Sequence, residues 1–310
     1  MSSGSPYIID PSSHANLKGK VVVVSGAANG IGAALTRALH AHGASIALGD
    51  TDSAAGTALA ASLPGTLFAA TDVTSYASVV ALFRSARAAF GRVDGAVACA
   101  GVLERGAWFT KADGVGALDV AAVEEGPGSE GTVGVNLMGA LYFARVAAGY
   151  LAEGEGEGVR DRDRALVLVS SAAGFRESPG LPVYQTTKTA ILGLNRNLSL
   201  TLHPSTGIRT NVILPAMTET GMVGPAAAAF RAAGLAVNTA DEVAAYMVDV
   251  LARPTRNGRP LNGLAVYVEG ARGWEIEEGL KATMPQWLGE EPTARIEEDA
   301  RVVAAEMWAK

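Results

Sequence analysis

The sequence predicts an α/β fold: a doubly wound, seven-stranded parallel sheet with helices on both faces. Three observations carry this. Short, continuously apolar, β-branched runs alternate with longer amphipathic stretches, and strands buried on both faces of a parallel sheet read as unbroken apolar runs joined by helical crossovers. A glycine-rich turn, "GAANGIG", follows the first such run directly. With 310 residues, 49% of them hydrophobic and 18% charged, the chain can also bury a large core.

Taken in order, residues 1–16 are polar and turn-rich and are expected to form a flexible N-terminal arm. Residues 17–270 then read as a single domain. Its strands are expected at 20–25, 44–49, 66–71, 93–100, 165–170, 208–214 and 263–268, with early helices running to about His42, over 53–62 and over 75–90. Two stretches break the rhythm. Residues 103–131, with Trp108 and Phe109, follow the fourth strand, where an open α/β sheet places its ligand crevice, and are expected to wall a binding site. Residues 153–164, "EGEGEGVRDRDR", read as a solvated connector. Residues 271–310 form an extension holding three of the four tryptophans. It is expected to end in an amphipathic helix with Thr293 as N-cap. Ile296, Ala300, Val303 and Met307 would share one face of that helix, to be docked on the chain's own body or on a neighbouring subunit.

Composition narrows the partners. A net charge of −6 and a pI near 5.3 give no field that attracts phosphodiesters, so a small molecule is expected and nucleic acid is not. Cys99 is the single cysteine, which excludes an internal disulfide; with no secretory leader, a reducing cytoplasmic location is expected. In its apolar strand that thiol reads as a small hydrophobe. No apolar run approaches the ~18 residues of a membrane span. The four histidines show no metal-ligand spacing, and no metal is expected.

The chemistry sits in two places. Gly26, Gly30 and Gly32 lie between the first strand and the first helix, where glycine lets a pyrophosphate approach and the helix N-terminus offers unpaired N–H groups. Asp50 ends the second strand, 18 residues after Gly32, placed to bind an adenosine ribose and repel a 2′-phosphate. This favours NAD(H) over NADP(H). The second place is "VYQTTK": Tyr184 and Lys188, four apart, share one helix face, so an ammonium can perturb a phenol.

"SGAANGIG", "ACAG", Asn136, "SSAAG" and "YQTTK" occur in the order and spacing of the short-chain dehydrogenase/reductase family, which the chain resembles over about residues 17–270. The resemblance implies a Rossmann-type sheet, an NAD(P)-dependent oxidoreductase, and catalysis by Ser171, Tyr184, Lys188 and Asn136. Tyr184 would be the acid/base, Lys188 would lower its pKa, Ser171 would orient the substrate oxygen and Asn136 would face a proton-relaying water. A base working near neutrality needs the phenol lowered by roughly 3 units, about 4 kcal/mol. The resemblance also implies cofactor contacts from Ser25, Gly26, Asn29, Gly30, Ile31 and Gly32 in the turn. Asp50, Asp72 and Val73 would meet the adenosine. Ala100, Gly101, Tyr184, Lys188 and Pro215 would lie near the nicotinamide ribose, with Thr220 holding the carboxamide and Thr218 as the alternative. Three positions depart from the family pattern: Ser25 replaces threonine, Ala98-Cys99 replaces an Asn pair, and Ala216 follows Pro215 in place of glycine. The loss of the Asn amides is expected to weaken one tie of that loop. The expected reaction interconverts a fairly apolar secondary alcohol and ketone. A non-catalytic nucleotide sensor, or an isomerase or cyclase on the same fold, is the alternative. Relatives pair through helices matching 132–152 and 184–203, so a homodimer or homotetramer is expected.

Overall fold

The computed structural model describes residues 5–104, 108–109, 118–125, 131–153 and 162–306. All seven expected parallel strands are present: β2 (Val21–Ser25), β3 (Ser45–Asp50), β4 (Thr66–Ala70), β5 (Gly95–Ala98), β6 (Ala165–Val169), β7 (Arg209–Pro215) and β10 (Ala265–Glu269). The sheet has nine strands, not seven. β11 (Arg272–Glu275) pairs antiparallel with β10, and β1 (Ser5–Tyr7) pairs antiparallel with β11, giving the order β1-β11-β10-β7-β6-β5-β2-β3-β4. Two-residue strands β8 (Thr255–Arg256) and β9 (Arg259–Pro260) form a separate hairpin.

These two edge strands correct the expected boundaries. Within the described part of the arm, Tyr7 is buried and donates its hydroxyl to Asp249, which is itself fully buried, while the Asp10 N–H binds the other carboxylate oxygen. A 3-10 helix over Pro11–Leu17 follows, capped by Asp10. An apolar ring and a buried ion partner hold this segment down, so it is not a flexible arm from residue 5 onward. The sheet likewise continues past residue 270.

Helices cover both faces. α1 (Gly30–Ala41), α2 (Ser53–Ser62) and α9 (Ala240–Ala252) pack on one side with Val22 and Val24. The other side carries α3 (Tyr76–Phe90), α6 (Gly139–Ala152) and α7 (Pro182–Thr206), with Val23 pointing to them. That alternation is the two-residue period of a strand buried on both faces. Ahead of α6 lie α4 (Val120–Glu125), α5 (Gly131–Val133) and a π-helical turn over Gly134–Met138. The continuous helix Gly131–Ala152 is, by length and composition, apolar enough to cross a membrane, which the sequence reading missed. Here Phe143, Val146, Ala147 and Leu151 are buried in the sheet-packing core, the ordinary place for such a helix.

Beneath the strands' N-terminal ends, Asp94 takes Arg92 and Arg162, and Asp163 takes Lys20 and Arg209. Arg164 is buried and bonds the carbonyls of Leu151 and Thr206. Residues 162–164 are therefore built into the fold rather than solvated; residues 154–161 of that connector lie outside the described residues.

In the extension, α10 (Glu277–Leu288) precedes α11 (Glu290–Glu306). Thr293 lies inside α11 and donates back to the Gly289 carbonyl, so it is not the N-cap. Ile296 and Val303 are 48% and 42% exposed, so the apolar stripe is only partly covered among the described residues. Met307 lies outside the described residues. A last helix, α8 (Gly224–Ala232), sits in the segment after β7.

Candidate active site

The chain reverses direction across the sheet between β2 and β5: β3 and β4 extend one way, β5 and β6 the other. Ligand crevices open at such switch points, beyond the strands' C-terminal ends. There the turn after β2 meets the loop after β5. Gly26 has φ +65°, and a Cβ on it would stand 2.6 Å from the Ala100 Cα; one on Gly32 would stand 2.0 Å from the Gly26 carbonyl oxygen. Only glycine fits either place. The Ser25 hydroxyl is buried and accepts the Ala100 N–H at 3.4 Å, keeping one tie to the loop where the asparagine pair is absent.

From this turn a cleft of about 1000 Å³ runs to Tyr184 and on to the segment after β7. It brings together Gly26, Asn29, Gly30, Ile31, Gly32, Asp50, Asp72 and Val73 at one end with Ala100, Gly101, Ser171, Tyr184 and Lys188 at the other, and with Pro215, Thr218 and Thr220. The start of α1 has no side-chain cap, because the Asn29 amide turns away to Asp52. Its first N–H groups and dipole are thus available to a phosphate. The Asp50 carboxylate accepts N–H groups from Ala28 and Asp52, which fixes the turn and leaves further lone pairs toward the cleft. Asp72 accepts from Thr74, both backbone and hydroxyl. These residues fit a dinucleotide: close backbone, an open helix start and acidic groups at the ribose end.

At the other end, Ser171 follows β6, its hydroxyl accepts the Ala173 N–H, and it acts to lower the pKa of the Tyr184 phenol. Its neighbour Ser170 donates to the Lys188 carbonyl, a packing role. The Lys188 ammonium bonds the Val169 carbonyl at 3.1 Å and lies 5.6 Å from the Tyr184 ring centroid. Burial lowers Lys188 to about 8. Burial also raises the Tyr184 pKa, against a lowering by Ser171. Within the chain alone desolvation is the larger of these two influences.

Asn136 sits in the π turn, buried, with Oδ1 accepting the Val102 N–H and Nδ2 donating to the Val102 carbonyl and the Thr187 hydroxyl. A Cβ on Gly101 would lie 3.4 Å from the Lys188 ammonium and 3.5 Å from Asn136 Oδ1, so both reach the same spot. The two threonines differ. Thr218 is buried and donates to the Ala216 carbonyl, whereas Thr220 crosses to Gly30, where a Cβ would meet its methyl at 3.1 Å.

Met217, Met222 and Phe230 give the cleft an apolar wall, whereas Trp108 and Phe109, expected to line it, do not. Residues 105–107, 110–117 and 126–130 of the expected wall lie outside the described residues. Two contributors escaped the sequence reading. Asn238, fully buried, donates to the Val268 carbonyl and pins Thr218. Glu104 accepts the Tyr184 N–H at 2.6 Å. Neither carries a local sequence signal, since each acts on a partner far along the chain. Among the described residues no cluster could hold a metal ion.

A parallel sheet with a glycine-cradled crevice, leading to serine, tyrosine and lysine, defines a dinucleotide-dependent oxidoreductase class. The family model for short chain dehydrogenases matches residues 20–230, and the chain belongs to that family. It is 35% identical over 288 residues to the short-chain dehydrogenase/reductase prx4 of Penicillium rubens, covering 88% of this chain and 81% of that protein. Human 3-hydroxyacyl-CoA dehydrogenase type-2 is 31% identical over 217 residues, 67% of this chain and 77% of the human protein. In fold it is similar to 3-ketoacyl-(acyl-carrier-protein) reductase from Brucella melitensis complexed with NADH. The TM-score is 0.68 at 24% identity, over 82% of this chain and 98% of that one.

Proposed function

We propose that the chain is an NAD(H)-dependent oxidoreductase interconverting a secondary alcohol and a ketone, with Tyr184 as acid/base. The observation that carries this is the convergence of Ser171, Tyr184 and Lys188 at the inner end of a cleft whose outer end is the glycine turn. When bound, the nicotinamide cofactor would supply or accept the hydride. Ser171 would then orient the substrate oxygen, Tyr184 would exchange a proton with it, and Lys188 would hold the nicotinamide ribose. Asn136, close to Lys188, holds the loop at Val102 and lies on the proposed proton path. Asp50, with no basic residue nearby in "GDTDS", supports NAD(H) over NADP(H). The apolar lining, and the hydroxyacyl-CoA named for the human relative, support a substrate with an apolar body. Exposed Met138 and Leu141 ahead of and on α6, and Leu200 on α7, support pairing of subunits through these helices.

Titration with NADH and NADPH, then turnover with a panel of ketones and alcohols, tests the reading. Nucleotide binding without turnover, unchanged in Tyr184→Phe, would point instead to a sensor. Turnover with no label passed from deuterated cofactor would point to an isomerase or cyclase.

A further inference from the structure

α7 begins without a capping side chain of its own, because Leu181 occupies the N-cap. Pro182 has no N–H to satisfy, and the Gln185 N–H closes the first intrahelical bond on the Leu181 carbonyl. Tyr184 is the third helical residue, whose N–H an N-cap side chain normally takes. Glu104 takes it from 80 positions earlier in the chain, at 2.6 Å. A carboxylate at that place also meets the positive end of the helix dipole.

Glu104 does not act alone. Two residues before it, Val102 is held at both its N–H and its carbonyl by Asn136. On the opposite wall, the Gln185 side chain accepts the Ser178 N–H and donates to the Arg176 carbonyl. The first turn of α7 is thereby tied to the loop after β5 on one side and to the loop after β6 on the other. Tyr184 itself carries the first tie, and its neighbour Gln185 carries the second.

We propose that Glu104 is a positioning residue for the reaction, acting as a long-range cap that sets Tyr184 against the substrate oxygen and links the substrate-facing loop after β5 to the catalytic helix. This rests on the dehydrogenase reading above. The geometry separates two variants. Glu104→Gln keeps an acceptor for the Tyr184 N–H and removes only charge; Glu104→Ala removes the acceptor.

The test is steady-state ketone reduction by both variants, beside the unaltered chain and Tyr184→Phe, with NADH affinity measured by fluorescence. Glu104→Ala is expected to lower kcat about tenfold, the scale of a small misplacement of a reacting group, with the NADH Kd within about twofold, and Glu104→Gln to restore kcat to within about threefold. A role in stability alone would leave kcat of the folded enzyme unchanged. Turnover lost in Tyr184→Phe but kept in Glu104→Ala overturns this inference and leaves the dehydrogenase reading standing. Equal loss of kcat in Glu104→Gln and Glu104→Ala also overturns it, since the acceptor would not matter. Absence of turnover in the unaltered chain removes both.

Discussion

The ammonium of Lys188 lies 5.6 Å from the centre of the Tyr184 ring, buried, and donates to the Val169 carbonyl. Burial pushes the phenol up and the lysine down to about 8. The site is thus poised near neutrality at the lysine.

Tyr184→Phe removes the proton-exchanging hydroxyl and leaves the ring that packs beside Lys188. Its kcat for ketone reduction should fall by about 10²–10⁴, the usual range for losing a general acid. NADH binding, measured by fluorescence titration, should persist.

Lys188 has a folded-state pKa below its unfolded value, so the unfolded chain binds more protons between about 8 and 10.5. The lysine therefore costs stability below about pH 8, and stability attributable to it rises as pH climbs through that window. Lys188→Met should melt higher than the unaltered chain at pH 7, by at most about 3 kcal/mol in stability, while losing turnover. The gap should narrow when thermal unfolding is repeated at pH 9.5.

Asp50 both fixes the turn through the Ala28 N–H and presents charge at the ribose end. Asp50→Asn retains an acceptor for that N–H and deletes the charge. The preference for NADH over NADPH should shrink about tenfold or more in the ratio of Kd values, with little change in melting temperature. A Cβ at Gly32, by contrast, would overlap the Gly26 carbonyl oxygen. Gly32→Ala should cost at least about 1–3 kcal/mol and weaken both nucleotides alike, measured by unfolding and by the same titration.

Desolvation pushes the Cys99 thiol up to about 12, so it holds its proton at neutral pH. Iodoacetamide at pH 7.5 should label it slowly in the folded chain and fast in urea.

The parallel core was readable because buried parallel strands are unbroken apolar runs, as in "VVVVS" and "ALVLVS". The glycine turn and the Tyr184–Lys188 pair were readable because their function is local: a turn of fixed length and one turn of helix. The edge strands were not. "SPY" has no strand pattern of its own and acquires one from the exposed edge of β11. Glu104 and Asp249 escaped for the same reason, their partners lying 80 and 242 positions away. The direction of the Tyr184 shift also lay beyond sequence, since it depends on how far the ring is withdrawn from water.

The pairing of Ser5 with Glu275 sets an order of events during synthesis. At roughly 5–20 residues per second, the N-terminal segment must wait tens of seconds on the ribosome before its partner emerges. Until then Tyr7 has no ring neighbour in Tyr246 and no carboxylate in Asp249 to bond. Residues 5–7 are thus made long before the strand they pair with, and through that interval their own N–H and C=O groups stay open to other chains.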